Sequence, residues 1–582
     1  MNTAGVIKKT EEFLLEGRGL IKLKPADHLA TGGEGSVYKP SPDTIIKLYS
    51  DPQKMIADGM AAKINQLKKI QHPFIVAPQG LVLKNQVPVG YYMAFESGEA
   101  LARIFTTAYR TRENFTSKDD LSLVDGMRTV VSTAHSHQAT LVDANELNWL
   151  VSRKKQLAEP RVIDVDSWAL GHWKPTVIMP SIRDWHTKGF NDKSDWFSYA
   201  VVTFQIFTGI HPYKGMLHGY KPNEMEARMK ANASVFTPGV RLNSAVRDFS
   251  TIPGPLLAWY EAVFQQGDRS VPPSAYDTSI KTPRAAMVQR TVVTATSGKL
   301  VMDVIYDGVV DKPTRIFSCG VIQLQSGKMI NLANGKMFAK TFSSHSEVIL
   351  TNEGFLVGEI TATDQLLFTL VAHDGRCESV DTILRGTELV RYYNRLFVVT
   401  GQGLTEVTVK QFAKPVLMTL NTWQVLGNST QWFEGLGVQD AMGATYLIIP
   451  FGEKSSQYVH VPELNGNKVV YGMAGTRCAV LAILEKKTGQ YKKYEIVFDK
   501  DYTSYKIVVS DMGGLDINMA LLPKGVNAEV INDGSLIISV PTTGVHNEVH
   551  DAKIDTAFAL GHWENRVLAI NGSKIWAISL KP

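Results

Sequence analysis

The chain has 582 residues, 44% of them hydrophobic and 20% charged, a length that suggests three or four compact units, or two with one large. A net charge of +5, with no basic block longer than Arg153-Lys154-Lys155, does not indicate nucleic-acid binding. Three scattered cysteines, no leading apolar stretch and no run near the ~20 apolar residues of a membrane helix point to a soluble cytoplasmic protein without a disulfide framework.

In chain order, the first chemically suggestive stretch is LATGGEGSVYK (29–39), followed by TIIK (44–47). Glycines at Gly32, Gly33 and Gly35 let backbone N–H groups approach a phosphate tail that side chains would block. Ordinary turns carry similar glycines, but TIIK adds the alternating frame of a half-buried strand, which aims Lys47 inward. Apolar residues at helical spacing then predict helices over 60–70, 121–134 and 196–207.

Two acidic segments lie between the later helices. LVDANELNWLV (141–151) sets an Asp and, five residues on, an Asn before a strand-like run; RVIDVDSWAL (161–170) ends a strand in acids. Each is also readable as a polar turn or a helix cap. As chemistry, Asp143 offers a proton acceptor, and Asp166 an oxygen ligand for a hard cation. DKSDWFSYAVVTFQIFTGIHPYKG (192–215) predicts a buried helix introduced by Asp195 and closed by Gly209.

Near residue 280 the texture changes. VPPSAYDTSIKTPRAA (271–286) reads as a linker, and beyond it short β-branched runs alternate with Gly, Asn and Asp. Strand-turn-strand units recur around residues 347, 394, 432, 474, 528 and 565, with an earlier one near 315. That interval, roughly 35–55 residues, predicts a six- or seven-bladed β-propeller, with paired β-sandwiches as the competing architecture.

The order of these motifs over about 250 residues resembles the protein-kinase superfamily, most of all a bacterial group of kinase-like proteins joined to other modules. The resemblance implies a bilobal fold: an extension at 1–21, an N-lobe at 22–97, a C-lobe at 98–277, a linker at 278–289 and an all-β domain at 290–582. It implies ATP and Mg²⁺ as cofactors. Gly32, Gly33, Gly35, Val37, Lys47, Glu96 and Ser97 would hold the nucleotide, with Phe95 of YYMAFESGEAL in the gatekeeper place. Asn148 and Asp166 would hold the metal, and Asp143, with Lys47, would be catalytic. His135 and Arg269 take structural places, and Asp195 would anchor the catalytic loop.

The chain departs from that pattern at several points. Ala30 replaces the first flap glycine, Leu141-Val142 the His-Arg pair, and Asn145 a lysine frequent in Ser/Thr kinases. Lys63 falls where helix C carries its glutamate, and VIMPSIRDW (177–185) holds no evident APE motif. The reading is a Mg-ATP-dependent kinase for a hydroxyl, most often Ser/Thr of a protein, whose β domain recruits a protein substrate or assembly partner. The alternative is a pseudokinase scaffold without phosphotransfer.

Overall fold

The computed structural model describes residues 7–32, 34–153, 156–173, 178–277, 289–290, 293, 296–361, 365–441, 443–451, 455–512 and 515–581. The protein is mixed α/β. Its first half opens with a curled seven-stranded sheet in the order β2-β1-β6-β7-β5-β4-β3. The strands are β1 (Glu11–Leu15), β2 (Gly19–Leu23), β3 (His28–Thr31), β4 (Gly35–Ser41), β5 (Thr44–Tyr49), β6 (Pro78–Lys84) and β7 (Val87–Ala94). Because β1 pairs with β6, the residues set aside as an N-terminal extension contribute a hairpin to this sheet. A boundary at residue 22 cuts through β2.

Strand β5, TIIKLY, is buried along its whole length. Successive side chains of a strand face opposite ways. Ile46 and Leu48 accordingly join Phe13, Leu15, Leu23, Tyr38, Val82 and Tyr92 in one core. Tyr49, on the same parity as Lys47, joins the other core with Tyr91. Alternation alone therefore sends the lysine toward the helical layer.

Between β5 and β6 lie two short helices, α1 (Pro52–Ala57) and α2 (Met60–Leu67), broken at Gly59, whose φ is +70°. The helical layer follows: α3 (Thr107–Arg112), α4 (Ser117–Ser136) and α5 (Asp192–Thr208). Helix α5 starts earlier than the sequence suggested, capped by the Asn191 side chain, and it ends at Gly209 with φ +75°. It is buried from Ser194 to Thr208, and the Phe204 ring meets Phe236, Phe249, Tyr260 and Phe264 edge-on. Such contacts add about 0.5–1.5 kcal/mol each beyond area burial.

Residues 278–288, most of the expected linker, lie outside the described residues. Beyond them the described residues form seven small antiparallel sheets, spanning 313–331, 347–379, 388–423, 430–460, 468–511, 519–550 and 559–580. The last is completed by Leu300–Asp307, which pairs with Lys574–Leu580. A strand-turn-strand hairpin lies at each position around which the sequence repeat placed one. Each sheet shares an apolar layer with the next: Val321 and Phe355 join the first two, Leu356 and Leu396 the next, and Phe397, Leu447 and Leu481 run through the third to fifth. Val480 with Met519, then Leu536 with Ala569, continue the series. Ile322 and Leu568 join the seventh sheet back to the first, so the packing closes on itself.

The two halves share a core. Val470, Ala482, Leu484 and Tyr491 of the fifth sheet are continuous with the apolar cluster around α4 and α5. Polar contacts reach both layers of the first half: His28 Nδ1 meets Ser429 Oγ at 2.8 Å, and the Ser244 and Ala245 N–H groups meet Asp533 and Thr556. No described helix is long and apolar enough to cross a membrane.

Candidate functional site

Lys47 projects from β5 into a compact charge cluster. Its ammonium donates to Asp166 Oδ2 at 2.8 Å and to Asp164 Oδ1 at 2.9 Å. Asp166 Oδ1 accepts from the Tyr91 hydroxyl at 2.7 Å, and the Asp166 carbonyl accepts from Lys63 Nζ at 2.5 Å. Burial works against the Lys47 charge, but Asp166 and Asp164 outweigh it and hold the ammonium firmly protonated. Burial would likewise raise Asp166; the Lys47 charge beside it prevails and keeps the carboxylate below its usual range. Lys63 is pushed down by burial, with Asp166 and Glu34 opposing.

These contacts answer the question raised by Lys63. Lys63, on α2, is buried beside this cluster, and its ammonium is spent on the Asp166 carbonyl. The acid that partners Lys47 comes instead from the 161–170 segment, and Lys63 fastens that acid's backbone. The two aspartates differ in setting: the Asp166 side chain is fully buried, whereas 43% of the Asp164 side chain is exposed. Asp164 also sits in the left-handed region, φ +58°, unusual for a residue other than glycine. The sequence reading gave the metal to Asn148 and Asp166; in this structure both Asp166 carboxylate oxygens accept from protein donors, Lys47 and Tyr91. Asp164 presents the accessible carboxylate.

Above Lys47 stands the flap. Gly32 N–H bonds to Gly35 O, and a Cβ on Gly35 would lie 2.3 Å from Leu48 O, so strand packing itself demands glycine there. Val37 is the β4 partner of Lys47 in register. Gly33 lies outside the described residues. Glu96 faces Arg161 at 3.8 Å and Ser97 is exposed, both just beyond β7. The residue opposite Lys47 on β7 is Tyr91 rather than Phe95, whose ring lies 3.5 Å from Lys39 Nζ.

The 141–148 loop closes the site from below. Asp195 Oδ2 accepts from Leu141 N at 2.8 Å and from His135 Nε2 at 2.9 Å, and Oδ1 accepts from Val142 N at 3.0 Å. The anchoring expected of Asp195 and the structural place of His135 thus have a concrete geometry. Asn148 donates to Asp143 O at 2.7 Å and receives Ile163 N on its own carbonyl at 2.9 Å, which sets Asn148 one residue from Asp164. Asp143 Oδ1 accepts the Met179 N–H at 2.9 Å; burial raises the Asp143 pKa, with Met179, Asn145 and Lys486 opposing.

No family model matches the chain, and no curated protein matches it in sequence. The geometry must therefore carry the functional reading.

Two further features escaped the sequence. Arg269 forms a two-pronged ion pair with Asp184, Nε to Oδ2 at 2.7 Å and Nη2 to Oδ1 at 2.9 Å. Asp184 lies in the segment where no APE motif was evident; an acid in IRDW was the available signal. The other is the turn 485–490 of the C-terminal half. A Cβ on its Gly489 would lie 2.9 Å from Ser181 N, and the neighbouring Tyr491 hydroxyl donates to the buried Glu146 Oε1 at 2.5 Å. Among the described residues no group of three or more His, Cys, Asp or Glu side chains is gathered for a metal ion.

Proposed function

We propose that the first half is an ATP-dependent phosphotransferase of kinase-like, bilobal build, acting on a hydroxyl, and that the ring of seven sheets is a β-propeller that presents or recruits the acceptor. The observation that carries this reading is the Lys47 ammonium held between Asp164 and Asp166 beneath a glycine flap, with Asp143 and Asn148 on a loop pinned by Asp195. Such an ammonium suits the α- and β-phosphates of a nucleotide. Asp143, in a setting that raises its basicity, suits the acceptor proton.

A divalent cation fits the donor set: Asp164 and Asn148 supply hard oxygens, the kind Mg²⁺ takes together with substrate phosphates. When bound, the ion would neutralise charge on the phosphate oxygens. Asp166 has the separate task of orienting Lys47, the part helix C plays in the kinases this chain resembles. Three free, widely spaced cysteines accord with a reducing cytoplasm.

A second reading, nucleotide binding without transfer, draws on the Met179 N–H that occupies Asp143 Oδ1. Incubation of the full chain with Mg-ATP separates the two. ADP release and phosphoprotein in wild type but not in Asp143→Asn supports the transferase. A nucleotide-induced rise in Tm with no ADP from either protein supports the scaffold.

A further inference from the structure

The ring of seven sheets grips both sides of the candidate site. Ser429, just before the fourth sheet, meets His28 at the root of the flap, and Tyr491 of the fifth sheet donates to Glu146 in the 141–148 loop. Leu447 of the fourth sheet and Leu481 of the fifth lie in one apolar layer, so the two grips share a packed core. Such a core transmits displacement rather than absorbing it. The ring therefore fixes the spacing between the flap and the loop that carries Asp143 and Asn148.

The grip on the flap is a directed chain of hydrogen bonds. Ser429 Oγ donates to His28 O at 2.7 Å, which uses its one hydrogen. Its 2.8 Å contact with His28 Nδ1 is then received from an Nδ1–H. In a neutral imidazole that tautomer leaves Nε2 as an acceptor, so Thr31 Oγ1, 2.8 Å away, donates to it. Thr31, its hydrogen used, accepts from Ser36 Oγ at 3.1 Å. Burial pushes the His28 pKa down, with Asp440 opposing, which favours the neutral ring the chain requires. Thr31 and Ser36 are partners across the flap hairpin, and Ser36 precedes Val37, the β4 partner of Lys47. Asn428 Nδ2 adds a bond to Ala26 O at 3.1 Å on the same side.

We propose that Ser429 is a positioning residue for nucleotide binding: through His28, Thr31 and Ser36 it holds the flap hairpin at the height from which it closes over the phosphate tail. The nucleotide part rests on the phosphotransferase reading; the coupling of Ser429 to the flap does not. Without the Ser429 hydroxyl, the His28 carbonyl loses a donor and Nδ1–H its acceptor. The ring is then free to turn, and Thr31 loses its partner. The flap samples raised positions, and closing it again costs binding energy. Asp143 and Asn148 stay in place on the loop held by Asp195 and Tyr491. Affinity therefore falls while turnover at saturation is kept.

The test compares full-length Ser429→Ala, Thr31→Val and the double variant by hydrogen–deuterium exchange, Mg-ATP titration and ADP release. Each single variant should exchange faster over 28–38 and no faster over 468–485. Each should weaken Mg-ATP binding about three- to tenfold, the equivalent of one net hydrogen bond, with kcat unchanged. The double should bind no worse than the weaker single, because both substitutions cut one chain. Ser429→Thr, which keeps the hydroxyl, should restore flap protection and affinity. Unchanged exchange and affinity in Ser429→Ala, or additive losses in the double, overturn the proposal and leave the phosphotransferase standing. A wild-type chain that binds no Mg-ATP overturns both.

Discussion

Asp195 reaches from the first turn of α5 to accept the backbone N–H of Val142, a β-branched residue held at φ +62°. Such a conformation costs on the order of 1–3 kcal/mol and persists only where its surroundings insist on it. Here the same carboxylate takes the Leu141 N–H and His135 as well. Asp195→Ala is expected to lose several kcal/mol of stability, since each buried donor left without an acceptor costs about 1–3 kcal/mol. Asp195→Asn should lose less, because one carbonyl oxygen still accepts. Denaturant unfolding of both variants measures the difference; a negligible loss in both would show that Asp195 is not the anchor.

The division of labour between Asp164 and Asp166 can be read out separately. Asp166→Asn leaves Lys47 and Tyr91 without a buried carboxylate and should lower stability by about 3–5 kcal/mol. Asp164→Asn removes a partly exposed acid and should leave Tm nearly unchanged. It should nevertheless abolish the extra nucleotide-induced Tm rise that Mg²⁺ adds. If instead Asp166→Asn alone loses the Mg²⁺ dependence, the metal belongs to Asp166.

Lys63 offers a sharper contrast. Kinase resemblance would suggest that Lys63→Glu restores a missing acid. Within the observed cluster it would set a buried carboxylate against Asp166, whose charge is already matched by Lys47. Lys63→Glu should therefore be less stable than Lys63→Met, and bind ATP at least several-fold more weakly, as like charges desolvated together must. Thermal melts and nucleotide titration of both variants test the ordering.

The junction between the halves carries a pH signature. Glu146 is buried and its pKa is raised by that burial, the Tyr491 bond only partly opposing. A carboxyl whose folded pKa lies above its unfolded value, ordinarily about 4.3, loses stability as pH rises from the unfolded value through the folded one. Glu146→Gln keeps an acceptor for Tyr491 and cannot ionise. Its stability relative to wild type should grow from acid to neutral pH, while Tyr491→Phe should be less stable than wild type by about 1–3 kcal/mol. A pH-independent difference between Glu146→Gln and wild type would sink the idea.

Much of this was legible in the sequence because the signals were local. Period-two alternation in TIIK sent Lys47 to one face, Gly209 closed α5, and turn residues marked the hairpins of the small sheets. What was not legible depended on distance along the chain. Nothing local distinguishes Asp164 from Asp166; only the fold reveals which carboxylate is enclosed by Tyr91 and Lys63. Asp184 became visible through Arg269, 85 residues away, and Glu146 through Tyr491, 345 residues away. The hairpin of β1 and β2 was missed because its EEFLL and GLIKL runs are short and flank a charged turn.

Among the described residues the strand Leu300–Asp307 pairs with no strand in its own neighbourhood; it waits for Lys574–Leu580. A ribosome must therefore finish almost the whole second half before the seventh sheet can exist, and until then the first and sixth sheets each expose an apolar flank. Joining strands so remote in sequence is entropically slow. A premature stop that removes only the last strand should consequently cost far more than one strand's worth of contacts. It leaves an open arc with two sticky ends, a species suited to chaperone capture or aggregation rather than to a slightly shortened version of the same protein.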